Sequence, residues 1–179
     1  MVQTYVFAAE LVGHRGVRRV IAVRDDLTLV DLHYALQSAF GWDDDHLYAF
    51  WLGGRFWTST DEHFARPCPE YAGSARSAAV PIVELGLAEG RRVAYVFDFC
   101  DEWRVRLRVH EVLADDGLPS PRLLDAVGAA PPQYPPVQVG AARERVGPAM
   151  KRLARPVLTL FGHGPPLRDP QRLARAAAR

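Results

Sequence analysis

The stretch YVFDFCDEWRVRLRV, residues 95–109, decides how this chain folds. Its second half alternates without interruption. Trp103, Val105, Leu107 and Val109 share one side, and Arg104, Arg106 and Arg108 share the other with His110, the two-residue period of a strand with one buried and one polar face. The segment before it, from residue 92, is an apolar strand, so the acidic bend between the two reads as a hairpin turn. Loop length then fixes which side chains meet. If Asp101 and Glu102 alone make the turn, Asp98 lies opposite Val105 and a carboxylate is buried on the apolar face. If the loop runs from Cys100 to Glu102, Phe99 pairs with Trp103, Phe97 with Val105, and Asp98 meets Arg104 on the polar face. An unpaired buried carboxylate is costly, whereas an exposed Asp–Arg pair contributes about 0 to 1 kcal/mol, so the odd-length loop is favoured.

Working outward, residues 2–12 and 17–23 also alternate and flank Gly13-His14-Arg15-Gly16, which predicts a first hairpin. Thr28 with Asp31 three residues later is a capping-box start; Leu29, Leu32, Leu36 and Ala39 form one helical stripe, and Gly41 is a natural stop, so a helix spans about residues 28–40. HLYAFWLGG from His46 is a short aromatic run suited to a strand covered on both faces. Residues 58–80, polar and interrupted by Pro67, Pro69 and Gly73, read as an irregular excursion, and VPIVELGL from Val80 as a short turn or helix. This order predicts an α+β fold, a β-grasp-like mixed sheet with one main helix packed across it and two hairpins. After Asp115 the pattern dissolves into a proline-rich segment expected to run over the surface, with a short helix near residues 141–154. The expected division is a core at residues 1–115 and an irregular, basic extension at 116–179.

The chain has 179 residues, 49% of them hydrophobic, enough to bury one good core as a single domain. Its 22 basic and 21 acidic residues nearly cancel, but their distribution does not: from Arg122 onward ten basic residues face three acidic ones, leaving an acidic body and a basic tail. No apolar run approaches the roughly 20 residues of a membrane span and the N-terminus lacks a positive region before its apolar stretch, so no membrane is expected and the cytoplasm is the expected location. Cys68 and Cys100 resemble no disulfide scaffold and read as free thiols.

The chemistry-bearing candidates are His33, His46, Asp98, Cys100 and Asp101. His33 sits on the helix face that carries Leu36 and Phe40, where a histidine is more often a packed edge residue than a ligand. His46 directly follows Asp43-Asp44-Asp45, any of which could orient its ring, although the bland alternative is a solvated acidic turn. His33, His46, Asp98 and Cys100 carry donors suited to a divalent metal such as zinc, but no pair has C-x-x-C or H-E-x-x-H spacing, so a metal site would depend on tertiary proximity alone. A Cys100–His46 nucleophile pair stands on the same terms, and the surrounding acids oppose it by holding the thiol proton. Arg104, Arg106 and Arg108 form a basic stripe that could track nucleic-acid phosphates, against the plainer reading of a solvated sheet face. The tryptophans and their aromatic neighbours are expected in the core and its rim, with an aromatic small-molecule pocket as the alternative.

Taken together, DDLTLVDLHYALQSAFGWDDDHLYAFWLGG and YVFDFCDEWRVRLRV resemble the plasmid pRiA4b ORF-3-like family, also described as transposable-element passenger proteins. The resemblance rests on Leu32, His33, Gly41, Trp42, His46, Leu47, Phe50, Asp98, Phe99, Asp101 and Trp103. It departs in three places: Cys100 stands where the family usually has glycine, Val105 where it has histidine, and Ala130-Pro131-Pro132-Gln133-Tyr134 where it has Cys-Pro-Pro-Glu-Asp. Members carry a resolvase label or none, and no resolvase serine is recognisable here. The resemblance, with the basic stripe and tail beside it, gives the expected function as a binding or accessory module of mobile-element origin, with nucleic acid or another protein as partner. The alternative is a metal-binding protein or small enzyme with a His/Asp/Cys site.

Overall fold

In the computed structural model, which describes residues 1–59, 62–67 and 75–134, the alternation read in the second hairpin becomes the spine of a sheet. Strand β1 (Gln3–Leu11) pairs antiparallel with β2 (Arg18–Arg24), and helix α1 (Leu29–Phe40) follows. Short strands β3 (Tyr48–Trp51), β4 (His63–Ala65) and β5 (Arg76–Ser77) come next, then a 3-10 turn at Ile82–Leu85, and then β6 (Arg92–Phe97), β7 (Trp103–Ala114) and β8 (Arg122–Val127). They form one eight-stranded sheet in the order β5-β4-β3-β6-β7-β1-β2-β8. It is mixed because β4 and β5 run parallel.

The helix begins as its sequence dictates. The Thr28 side chain accepts from the Asp31 backbone N–H while the Asp31 carboxylate accepts from the Thr28 N–H, and Gly41, with φ +75°, closes the far end by donating to the Gln37 carbonyl. Leu29, Leu32, Leu36 and Phe40 then meet the inward side chains of β1, β6 and β7, including Phe7, Phe97 and Leu107, in one continuous core. The opposite face is not uniform. Across β3, β4 and β6 a second cluster of Ala49, Trp51, Ala65, Ala94 and Val96 is covered by Phe56 and Phe99, so β3 is buried on both faces. Across β7, β1 and β2 the outer face lies open and carries the arginines.

Three expectations change. The turn of the second hairpin is five residues, Asp98 to Glu102, because Phe97 pairs with Trp103 and Tyr95 with Val105. The Glu102 N–H donates to the Asp98 carbonyl at 2.7 Å, and Asp98 and Glu102 both take positive φ, which aspartate tolerates better than most residues. The odd parity keeps the apolar faces in register, but Asp98 is no cross-strand partner of Arg104; Val96 is. Within the expected proline-rich surface run, residues 122–127 form β8, paired with β2 at the sheet edge. β4 and β5 supply regular structure inside the expected excursion. The candidate helix at 141–154 and the basic C-terminal segment lie outside the described residues.

Candidate functional site

The five-residue turn places Asp98 at the bottom of the sheet, 4% exposed, and gives its carboxylate defined partners. Oδ1 accepts from the backbone N–H of Cys100 at 2.9 Å and of Asp101 at 3.3 Å, an Asx-type cap on the turn. Oδ2 lies 3.4 Å from Nε2 of His46. His46 is half-exposed, with its ring edge-on to Phe97, and its Nε2 is 3.0 Å from the Tyr134 hydroxyl. Tyr134 in turn donates to Asp45, and Gln133 donates to Asp45 at 3.0 Å while accepting from the Asp43 N–H at 2.6 Å. Burial opposes charge on Asp45, but the Tyr134 hydroxyl, His46 and Gln133 hold its carboxyl below the usual range. The same bond to Asp45 pushes the Tyr134 hydroxyl up to about 12.

His33 belongs to a different network. It is wholly buried rather than at an edge, stacked at 3.7 Å on Tyr48, with Nδ1 2.8 Å from the Tyr95 hydroxyl and Nε2 3.0 Å from Asp44. Gln37 donates to the same tyrosine hydroxyl at 2.9 Å. With Nε2–H donating to the carboxylate, Nδ1 is left to accept from Tyr95, so every ring nitrogen is occupied. Burial lowers the His33 pKa to about 4 against the opposing pull of Asp44, and the ring is neutral.

The structure therefore brings His46 to Asp98, with the Cys100 and Asp101 backbone beside it, and gives His33 other partners, Tyr95 and Asp44. Among the described residues no group of three or more His, Cys, Asp or Glu side chains is placed to hold a metal ion. His33, with both nitrogens engaged, does not converge with His46, Asp98 and Cys100 as a ligand set. Cys100 is exposed and unbridged; Cys68 lies outside the described residues. Chemically, the His46 imidazole stands between the Asp98 carboxylate at 3.4 Å and the Tyr134 hydroxyl at 3.0 Å, a set of groups suited to general acid–base work. Asp44, Tyr95, Gln37, Gln133 and Tyr134 were not among the sequence candidates. The one legible signal for the last two was their place in the segment that departs from the family pattern.

On the open outer face, Arg92 stands opposite Arg108, and Glu10 opposite Arg106. Arg92, Arg106 and Arg108, with His110, Glu10 and Ala8, line a groove of about 470 Å³. The groove continues past Arg18 and Arg15 at the β1–β2 turn. Among the described residues Arg92, Arg106 and Arg108 make no ion pair, whereas Arg104 is engaged by Glu102 and lies over the Phe56 ring at 5.6 Å.

Residues 3–134 match the plasmid pRiA4b ORF-3-like protein family, well over half of the chain. The chain belongs to that family. The pRiA4b ORF-3-like chain is 29% identical over 119 residues to uncharacterized protein y4hQ of Sinorhizobium fredii (strain NBRC 101917 / NGR234), a match covering 65% of this chain and 58% of that protein. It thus spans less than two thirds of this relative's length. In fold it is similar to the protein of unknown function MM3350 from Methanosarcina mazei Go1, with a TM-score of 0.63, 23% identity and 74% of each chain covered. That likeness shows the α+β fold alone. Among the described residues no helix is long and apolar enough to cross a membrane.

Proposed function

We propose that this pRiA4b ORF-3-like protein is a nucleic-acid-binding accessory module of mobile genetic elements, working in the cytoplasm from a β-grasp-like body of sheet and helix. The observation that carries this reading is the open outer face, where Arg92, Arg106 and Arg108 line one groove and form no ion pair among the described residues, the groove's one carboxylate being Glu10 opposite Arg106. Successive outward side chains on a strand stand about 7 Å apart, so Arg106 and Arg108 present a row of charge suited to a phosphate backbone rather than to one compact anion. Arginine's planar fork of donors matches phosphate oxygens bidentately. Family membership supports the reading only through the plasmid origin in the family's description.

Titrating a labelled oligonucleotide of about 20 nucleotides into the full chain between about 50 and 200 mM salt tests it. Log affinity should fall linearly with log salt, and Arg106→Gln with Arg108→Gln should lower the slope by about 1 for each phosphate contact removed. Both side chains stand on the sheet surface, so the fold should be unaffected. No measurable binding, or binding indifferent to salt and to both substitutions, ends this reading.

A single contact favours the alternative of a metal-binding protein or small enzyme, the one between His46 and Asp98. Zinc or manganese copurifying with the wild-type chain and lost in His46→Ala would support it. Metal content equal in both proteins would remove that support.

A further inference from the structure

We infer that the nucleic acid held on the outer face is single-stranded, with a base stacked on Trp57 beside phosphates bound in the arginine groove. The inference rests on the groove reading above and deepens it.

The loop after β3 lays its aromatic residues on the same face as the arginines. Trp51 points outward opposite Ala94, one strand away from Arg106. His63 is stacked on Trp51 at 4.7 Å with the rings 5° from parallel, and Trp57 meets Trp51 edge-on at 5.2 Å and Phe99 at 5.1 Å. Phe56 lies under the Arg104 guanidinium, and Gly54 forms part of the groove wall against Arg92. The aromatic loop and the cationic groove thus share one face of the sheet and meet at Gly54.

Trp57 is the most exposed aromatic of this set, although one side of it packs on Trp51 and Phe99. It is 45% exposed, the largest exposed aromatic surface on this face, and its backbone sits at φ +59°, a left-handed conformation unusual for a bulky residue. Its loop is held so by the Trp51 indole N–H, which donates to the Thr58 carbonyl at 3.0 Å. A strained backbone that presents an indole to solvent instead of burying it is the kind of feature that accompanies binding sites. A duplex keeps its bases stacked on each other and offers an exposed ring no partner, while a single strand offers base faces and phosphates together. An exposed tryptophan on the loop whose Gly54 lines the arginine groove matches the second ligand and not the first.

The test compares single-stranded and duplex oligonucleotides of equal length and salt with the full-length wild type, Trp57→Asn, Trp57→Tyr and the Arg106→Gln/Arg108→Gln pair. Asparagine tolerates positive φ, so Trp57→Asn removes the ring while leaving the loop conformation accessible. The expected result is tighter binding of the single strand, a loss of roughly 5- to 150-fold in Trp57→Asn, partial retention in Trp57→Tyr and no change for the duplex. Tryptophan fluorescence should be quenched by the single strand in the wild type and less so in Trp57→Asn. Duplex binding equal to or tighter than single-strand binding overturns the inference. So does unchanged single-strand affinity in Trp57→Asn alongside a loss in the double arginine variant, an outcome that leaves the groove reading intact. If neither oligonucleotide binds, the groove reading fails and this inference with it.

Discussion

His33 shows how a single side chain can make the whole fold sensitive to pH. Its imidazole is buried, stacked on Tyr48 and fully hydrogen-bonded as the neutral form, and its pKa in the folded state falls from 6.5 to about 4. Above pH 6.5 the ring is neutral folded or unfolded and the term vanishes. As pH falls from 6.5 toward 4, the unfolded chain takes up a proton that the folded chain does not, so stability should drop by about 3 kcal/mol across that window. Urea midpoints at several values across that window should show the decline, and His33→Gln should remove most of it. Asp98 is the second residue whose environment sets its role. It caps two backbone N–H groups from a left-handed position and faces His46, so Asp98→Ala should cost about 1 to 3 kcal/mol. Asp98→Asn should cost less because its amide oxygen still accepts those bonds; denaturant unfolding of the two variants distinguishes them.

At the scale of elements, α1 is set by its ends. Gly41 has nothing within 4 Å of the position a Cβ would take, so the penalty of Gly41→Ala is conformational alone, about 1 kcal/mol from the positive φ. Gly54 is different. A Cβ there would stand 2.7 Å from the Cβ of Arg92, so Gly54→Ala should displace β6 at the groove wall as well as strain the loop. Thermal melts should rank Gly54→Ala below Gly41→Ala, and only the former should weaken oligonucleotide binding. The β6–β7 turn carries the same lesson in another form: two left-handed residues and an Asx-type cap make five residues sufficient where the pattern alone suggests three or two.

Across the whole molecule, the chain leaves the edge strand β8 and returns to the loop before β3, where Gln133 is buried between the Asp43 backbone and the Asp45 carboxylate. Contacts separated by about 90 residues in sequence thus tie the last described residues to the loop between α1 and β3. Gln133→Ala leaves the Asp43 N–H without its partner, so it should lower stability by about 1 to 2 kcal/mol and speed hydrogen exchange at the Asp43 amide. The charge layout is likewise a property of the whole. Residues 1–121 carry 18 acids against 12 basic residues, yet on the outer sheet face Arg92, Arg106 and Arg108 line a groove that holds one acid, Glu10.

Local patterns determined the α+β class, the helix with both its caps, the two antiparallel pairs and the division of β7 into an apolar and a basic face. These follow from periodicity and capping, which depend on neighbours a few residues apart. The sequence also named His46 and Asp98, together with His33, Cys100 and Asp101, as carriers of chemistry, but no spacing in it placed them together. Tertiary structure decided the rest. β8 escaped notice because an exposed edge strand needs no alternation; Leu123 and Leu124 are equally open to solvent. His33 parted from His46 because its helix faces into the core, where Asp44 and Tyr95 satisfy both ring nitrogens. Trp57 came to rest on Trp51 and Phe99 only because the loop after β3 folds back over the sheet. Periodicity says which side of an element is apolar, but it cannot say which distant element will cover that side or which will leave it open.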